Sequence, residues 1–296
     1  MARYVPDIKT QRWVVISPSR SDRPLEVGMD AKKEVKGCAF CDGNESLTPP
    51  EITRVGGGEK DKRGWKIRVV PNLFPITDIH EVIIHTPDHN KSIEMLEPKH
   101  IEDIIRVYRD RFNVHREDGH VMIFCNFGLE AGASLVHPHS QIVVIPRQIN
   151  LDALSREPVE NMIEESDTFI SYCPDFSQWP YEIWISPKND EGMFGDINDG
   201  EVWGLTSMLS ASLKRLRAIY GAASVKMIRK DKPFCYNYYI HHDKNWFLRI
   251  IPRLVHRAGF ELGTGLSVNI VDPENAAEEL GKMSKMGIQE GEYIRS

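Results

Sequence analysis

The stretch "ASLVHPHSQIVVIP", Ala133 to Pro146, sets two histidines one residue apart, across a proline, at the mouth of an apolar, β-branched run. "SQIVVI" reads as a strand. Working outward, the same kind of strand recurs on either side of two long amphipathic patterns. Between Glu97 and Arg116, Ile101, Ile104, Ile105, Tyr108 and Phe112 share one helical face, and between Asp199 and Tyr220 so do Val202, Leu205, Leu209, Leu213, Leu216 and Tyr220. The first half then reads strand ("HEVIIHT"), helix, strand ("VMIFCNF"), strand ("SQIVVI"). The second reads strand ("YEIWIS"), helix, strand ("YNYYIH"), strand ("WFLRII"). "EVIIHTP" and "IVVIP" begin at Glu81 and Ile142, "EIWISPK" and "LRIIP" at Glu182 and Leu248, spacings of 61 and 66 residues. This predicts a duplicated α+β unit, each copy a mostly antiparallel sheet with one long helix. A weaker pattern from Leu151 to about Ser166 predicts a third helix. "KIRVV" and "TFISY" complete the strands.

Composition limits the function. The chain has 296 residues, 41% of them hydrophobic and 27% charged, with a formal net charge of −6. That suits one large or two ordinary globular domains and does not favour nucleic acid as a partner. A small anionic ligand would have to be held locally. The N-terminal residues lack the apolar core of a signal peptide and no stretch is long enough for a membrane span, so we read a cytoplasmic protein without a membrane partner. Five cysteines, of which only Cys38 and Cys41 are close together, do not make a disulfide framework.

Chemistry concentrates at a few places. His139 is a candidate nucleophile: Pro138 fixes the backbone before it, "GLEAGAS" brings two glycines to its approach, and Ser134 and Gln141 offer neutral donors suited to phosphate oxygens. "CAFC" supplies two thiolates, and a tetrahedral zinc site then needs histidines from among His80, His85, His89 and His137. His89, in a turn after a strand, and His137 complete the set Cys38, Cys41, His89 and His137, a closed structural site. Arg20 and Arg23 in "SPSRSDRP" fit a diphosphate or an ordinary surface pair. Glu261 in "AGFELGTG" fits sugar hydroxyls or an ordinary turn.

Taken in order, "RWVVISPSRSDRP", "CAFC", "VVPNLFP", "HEVIIHTPDHNKS", "FCNFGLEAGASLVHPHSQI", "YEIWISPK" and "AGFELGTG" resemble the galactose-1-phosphate uridylyltransferase family of the histidine-triad superfamily, nearly end to end. The resemblance implies two fused histidine-triad-like units, residues 1–150 with the zinc site and the His-Pro-His motif, and residues 151–296 contributing sugar recognition. It implies a homodimer and a double displacement through a nucleotidyl-histidine, from a nucleoside-diphosphate sugar to a hexose 1-phosphate. His139 matches the nucleophile, Gln141 the glutamine at the transferred phosphoryl group, Asn126 and Ser134 phosphate contacts, Arg20 and Arg23 arginines near the nucleotide phosphates, Asn72 a nucleoside contact, and Glu261 the hexose contact. The four proposed zinc residues match the family's ligands.

Where histidine-triad hydrolases carry a third histidine this chain has Gln141, which cannot act as a general acid, so transfer is favoured over hydrolysis. The leading expectation is uridylyl transfer. "AGASLVHPHSQ", "PYEIWISPK" and "GFELGTG" also look like the ADP-glucose phosphorylase-like branch, whose implied reaction is adenylyl transfer to inorganic phosphate. A reading of another class is a zinc-stabilised nucleotide-binding protein without catalysis. Phe247 and Arg249 stand where some members place a metal-binding His-x-His, so no second metal is expected, and Phe260 replaces the family's usual tyrosine.

Overall fold

The computed structural model describes residues 2–7, 9, 12–23, 37–151, 156–188, 192–222 and 233–285. Two short strands, β1 (Arg3–Pro6) and β2 (Trp13–Ile16), form a separate hairpin. Ten more make one antiparallel sheet: β3 (Thr53–Gly56), β4 (Trp65–Pro71), β5 (His80–Ile84), β6 (His120–Phe127), β7 (His139–Ile145), β8 (Met162–Glu165), β9 (Phe169–Tyr172), β10 (Ile183–Pro187), β11 (Tyr236–Ile240) and β12 (Leu248–Pro252). Helix α1 (Pro98–His115) lies between β5 and β6 in the chain, and α2 (Asp199–Gly221) between β10 and β11; α3 (Gly259–Thr264) and α4 (Pro273–Lys285) close the described chain.

The strand order is β3-β4-β5-β7-β6-β11-β12-β10-β9-β8. Reading outward from the β6–β11 junction, each side repeats the same connectivity: the fourth strand of a five-strand unit at the centre, then its fifth, third, second and first. The junction itself is a regular ladder, from Phe127 opposite Tyr236 to Ile123 opposite Ile240, so neither unit leaves an open edge there. The fold is therefore mixed α+β, a large antiparallel sheet carrying two long helices.

Alternation along the strands sorts the two faces. Ile67 and Val69 of β4, Ile83 of β5, and Ile142 and Val144 of β7 join Ile101, Ile104, Ile105, Tyr108 and Phe112 of α1 in one continuous core, which runs on through Val202, Leu205, Leu209, Leu213 and Leu216 of α2. Their neighbours Val70, Val82 and Ile84 point the other way and pack with Cys38 and Phe40 in a smaller cluster. The helices thus cover one face, and the intervening residues of β7, His139 and Gln141, belong to the other. Pro98 opens α1, where its missing N–H costs nothing. Asn198 and Glu201 cap α2 reciprocally, at 3.0 Å and 2.7 Å. No helix among the described residues is long and apolar enough to cross a membrane.

The third helix expected over 151–166 is not found among the described residues of that range. Residues 152–155 lie outside the described residues, and Met162–Glu165 is strand β8, paired with β9. Pro158 cannot donate a helical hydrogen bond and disfavours helix in the residue before it. Helix α4 went unread although Asp272 caps it, accepting from Glu274 N–H at 2.9 Å, and Ala276, Ala277 and Leu280 bury one face of it.

Because Leu209 is fully buried in α2, Leu209→Ala is expected to lower stability by about 3 kcal/mol, from lost transfer energy plus the cavity left behind. The shift of the urea midpoint at unchanged slope measures it.

Candidate active site and metal centre

Cys38 and Cys41 bracket a tight turn, with Cys41 N–H donating to Cys38 O at 3.2 Å and Asn44 Nδ2 donating to the same carbonyl at 2.8 Å. His89 follows β5, and His137 immediately precedes Pro138. One ligand atom from each of the four residues lies within 4.8 Å of all the others. The sulfur to Nδ1 separations are 3.3 Å (Cys41 to His89), 3.6 Å (Cys41 to His137) and 3.8 Å (Cys38 to His137). Metal–sulfur and metal–nitrogen bonds of about 2.3 and 2.0 Å at tetrahedral angles put such atoms roughly 3.5 Å apart, so the donors fit a zinc-sized ion. His137 Nε2 donates to Thr86 O at 2.8 Å, which leaves the Nδ1 lone pair for the metal. Burial lowers its pKa to about 4, keeping the ring neutral as a ligand must be. Four protein donors would complete a tetrahedron around one ion.

The two other candidate histidines are engaged elsewhere. His85 is fully buried, with Nε2 3.0 Å from Tyr108 Oη and 2.9 Å from Ser140 Oγ. His80 contacts Gln141.

Beside the metal centre a cavity of about 150 Å³ opens on the face away from the helices. Arg20, Arg23, Asn72, Asn126, Ser134, His139 and Gln141 all line it, so seven of the eight residues expected to handle substrate and chemistry converge. His139 Nδ1 donates to His137 O at 2.7 Å, and Phe40 stands edge-on to its ring with centroids 5.3 Å apart. With the proton on Nδ1, the lone pair of the neutral ring lies on Nε2. Asn126 Oδ1 accepts from Asn237 Nδ2 at 2.7 Å, turning the Asn126 amine away from β11. Arg20 lies in a 3₁₀ turn (Pro18–Asp22) and donates to Phe74 O at 2.7 Å; burial, and then Arg23, lower its pKa. Gly128, at φ +85°, takes the left-handed conformation that starts the loop to Ser134, and a Cβ there would lie 2.3 Å from Cys235 Sγ.

Glu261 is not in this cavity. It sits in the first turn of α3, its carboxylate accepting from Ala258 N–H at 3.0 Å, with Phe260, Leu262 and Leu266 exposed around it. Sequence reasoning weighed His80 only as a metal ligand and did not name Asn237. Both lie beside a residue it named, but their contacts cross between strands and leave no local spacing signal.

A family model described as "Galactose-1-phosphate uridyl transferase, N-terminal domain" matches residues 77–145, which span β5 to β7. An ADP-glucose phosphorylase of Arabidopsis thaliana is 30% identical over 94% of this chain and 92% of its own length. A galactose-1-phosphate uridylyltransferase of Thermotoga maritima is 25% identical over 94% and 96%. The crystal structure of an ADP-glucose phosphorylase from Arabidopsis thaliana with bound ADP-glucose matches at TM-score 0.70 and 27% identity, covering 95% of this chain and 99% of that one. A uridylyltransferase structure has the same fold, at TM-score 0.74 and 20% identity over 98% and 100%. The fold and the relatives together define a nucleotidyltransferase of the histidine-triad superfamily. Within it, the chain belongs to the galactose-1-phosphate uridylyltransferase family, whose relatives here include ADP-glucose phosphorylase.

Protein purified without chelator is expected to carry about one metal ion per chain. Cys41→Ser should lose it, and elemental analysis of both proteins checks the four-ligand assignment.

Proposed function

We propose that the protein moves a nucleoside monophosphate from a nucleoside-diphosphate hexose to a second phosphate by way of a nucleotidyl group on His139 Nε2. The observation that carries this reading is the hydrogen bond from His139 Nδ1 to His137 O, which leaves Nε2 as the reacting nitrogen of a ring that lines a cavity rich in donors. In the first step Nε2 attacks the α-phosphorus, a P–N bond forms, and hexose 1-phosphate leaves with the electron pair of the broken P–O bond. Its oxygen is already part of a stabilised phosphate, so no general acid is needed. In the second step an incoming phosphate oxygen attacks the same phosphorus and the pair of the P–N bond returns to the imidazole. Arg20, Arg23, Asn126, Ser134 and the Gln141 amide would stabilise charge on the non-bridging oxygens, and Asn72 would contact the nucleoside.

For the nucleotide, we read adenylyl transfer from ADP-glucose to inorganic phosphate ahead of uridylyl transfer between UDP-glucose and a hexose 1-phosphate. What favours it is the 30% identity to an ADP-glucose phosphorylase over nearly the whole chain, against 25% to the Thermotoga uridylyltransferase. We take the metal to be zinc in a structural role, holding the strand that leads to His139. Residues 1–150 would then form the unit with metal and nucleophile, and 151–296 the unit bearing Glu261. A hexose contact by Glu261 requires a second copy of the chain, because in its own chain Glu261 lies outside the cavity lining and beside exposed apolar residues.

Incubation with ADP-glucose labelled on the α-phosphorus is expected to leave acid-labile, base-stable label on the protein, and UDP-glucose to label it more slowly. His139→Asn should abolish both. Nucleotide binding without any label on the wild-type protein would instead point to a non-catalytic binding protein.

A further inference from the structure

The carboxamide of Gln141 is held in one orientation by a relay that begins at two backbone amides. In the turn between β4 and β5, Ile76 N–H donates to His80 Nδ1 at 2.9 Å, and Phe74 N–H donates to Asn72 Oδ1 at 2.8 Å. A backbone N–H is always a donor, so His80 Nδ1 is unprotonated and Asn72 Oδ1 is the oxygen end. His80 is buried, which lowers its pKa to about 4 and keeps the ring neutral, so its single proton is on Nε2. That proton meets Gln141 Oε1 at 2.9 Å, and Asn72 Nδ2, itself 3.1 Å from His80 Nε2, reaches the same oxygen at 3.4 Å. Gln141 Oε1 faces two donors. Flipping the amide would set its nitrogen against both of them.

We infer that His80 is a positioning residue that keeps the Gln141 amide N–H groups toward the cavity and its oxygen away from water. The inference rests on the transfer reading above. Its chemical consequence lies in the life of the nucleotidyl-histidine. A glutamine oxygen free to accept a hydrogen bond can orient a water for attack; the water oxygen would bond to phosphorus, the P–Nε2 pair would return to His139, and the water proton would pass to solvent. With Oε1 accepting from His80 Nε2 and turned toward Asn72, Gln141 presents its N–H groups to the cavity. It then stabilises the phosphoryl oxygens without assisting hydrolysis, and the intermediate waits for a phosphate acceptor.

The test compares wild type, His80→Phe, His80→Gln and His80→Asn on α-phosphorus-labelled ADP-glucose, with inorganic phosphate as acceptor. The readouts are the rate of protein labelling and the ratio of free AMP to transferred ADP. Phenylalanine keeps the ring volume without the donor, and is expected to slow labelling by about tenfold or more and to raise the AMP share severalfold. Glutamine places an amide N–H near the former Nε2 and should recover the rate to within a few-fold, whereas asparagine is too short and should behave like phenylalanine. If His80→Phe does not fold, judged by metal content and thermal midpoint, the Gln and Asn pair carries the comparison. Rates and ratios within about twofold of wild type in both donor-deficient variants overturn the inference. So does an equal loss in all three variants with an unchanged AMP share. Wild-type protein that takes no label from ADP-glucose or UDP-glucose overturns the transfer reading itself, and the inference with it.

Discussion

The hydrogen bond from His139 Nδ1 to the carbonyl of His137 joins the two parts of the site on which everything else depends. His137 is fixed at its ring by the metal ligand set and by Thr86, and Pro138 removes one backbone rotation between the histidines. The His137 carbonyl thus sets the tautomer and the direction of the His139 ring, and the cluster holds His137 in place. Loss of the cluster would free the start of β7, and with it the geometry of attack.

The sheet supplies the rest of that geometry by register. Gln141 lies opposite Val82 on one side and Phe124 on the other, so β5 and β6 both wall the cavity. In the second half the repeat sets Phe247 in the place of Gln141, and the next residue on that face is Arg249, opposite Trp184 and Tyr239. There the space is filled. Trp184 stacks on Phe247 at 4.0 Å, and Arg249 is locked to Glu182 at 2.7 and 2.9 Å. Breaking such a buried pair leaves an uncompensated charge, so Arg249 and Glu182 are committed to structure. One copy of the unit carries the reactive cavity, and its counterpart is closed by aromatic packing.

Much of this was legible in the chain. The strands "VMIFCNF" and "SQIVVI" and the helices around Ile104 and Leu209 follow from short-range periodicity, which records which face of an element is buried. The Cys38, Cys41, His89 and His137 cluster was readable because a C-x₂-C pair calls for two more ligands to hold an ion, and the histidines are few. Phe247 and Arg249, noted only as departures from a metal-binding pattern, turn out to be core residues. The helix expected after Leu151 failed because its weak periodicity was set against Pro158 and the pairing demands of an open sheet edge.

Sequence alone determined most of the elements and the Cys and His types of the four-residue cluster, because those depend on side-chain chemistry and on neighbours a few residues away. Tertiary structure decided three further matters. It made one sheet of two units, engaged His80 with Gln141 and Asn237 with Asn126 across 61 and 111 residues of chain, and left Glu261 outside the cavity of its own chain. Each depends on which strands lie side by side and in what register, and that is set by burial of the whole sheet against α1 and α2 rather than by any local pattern.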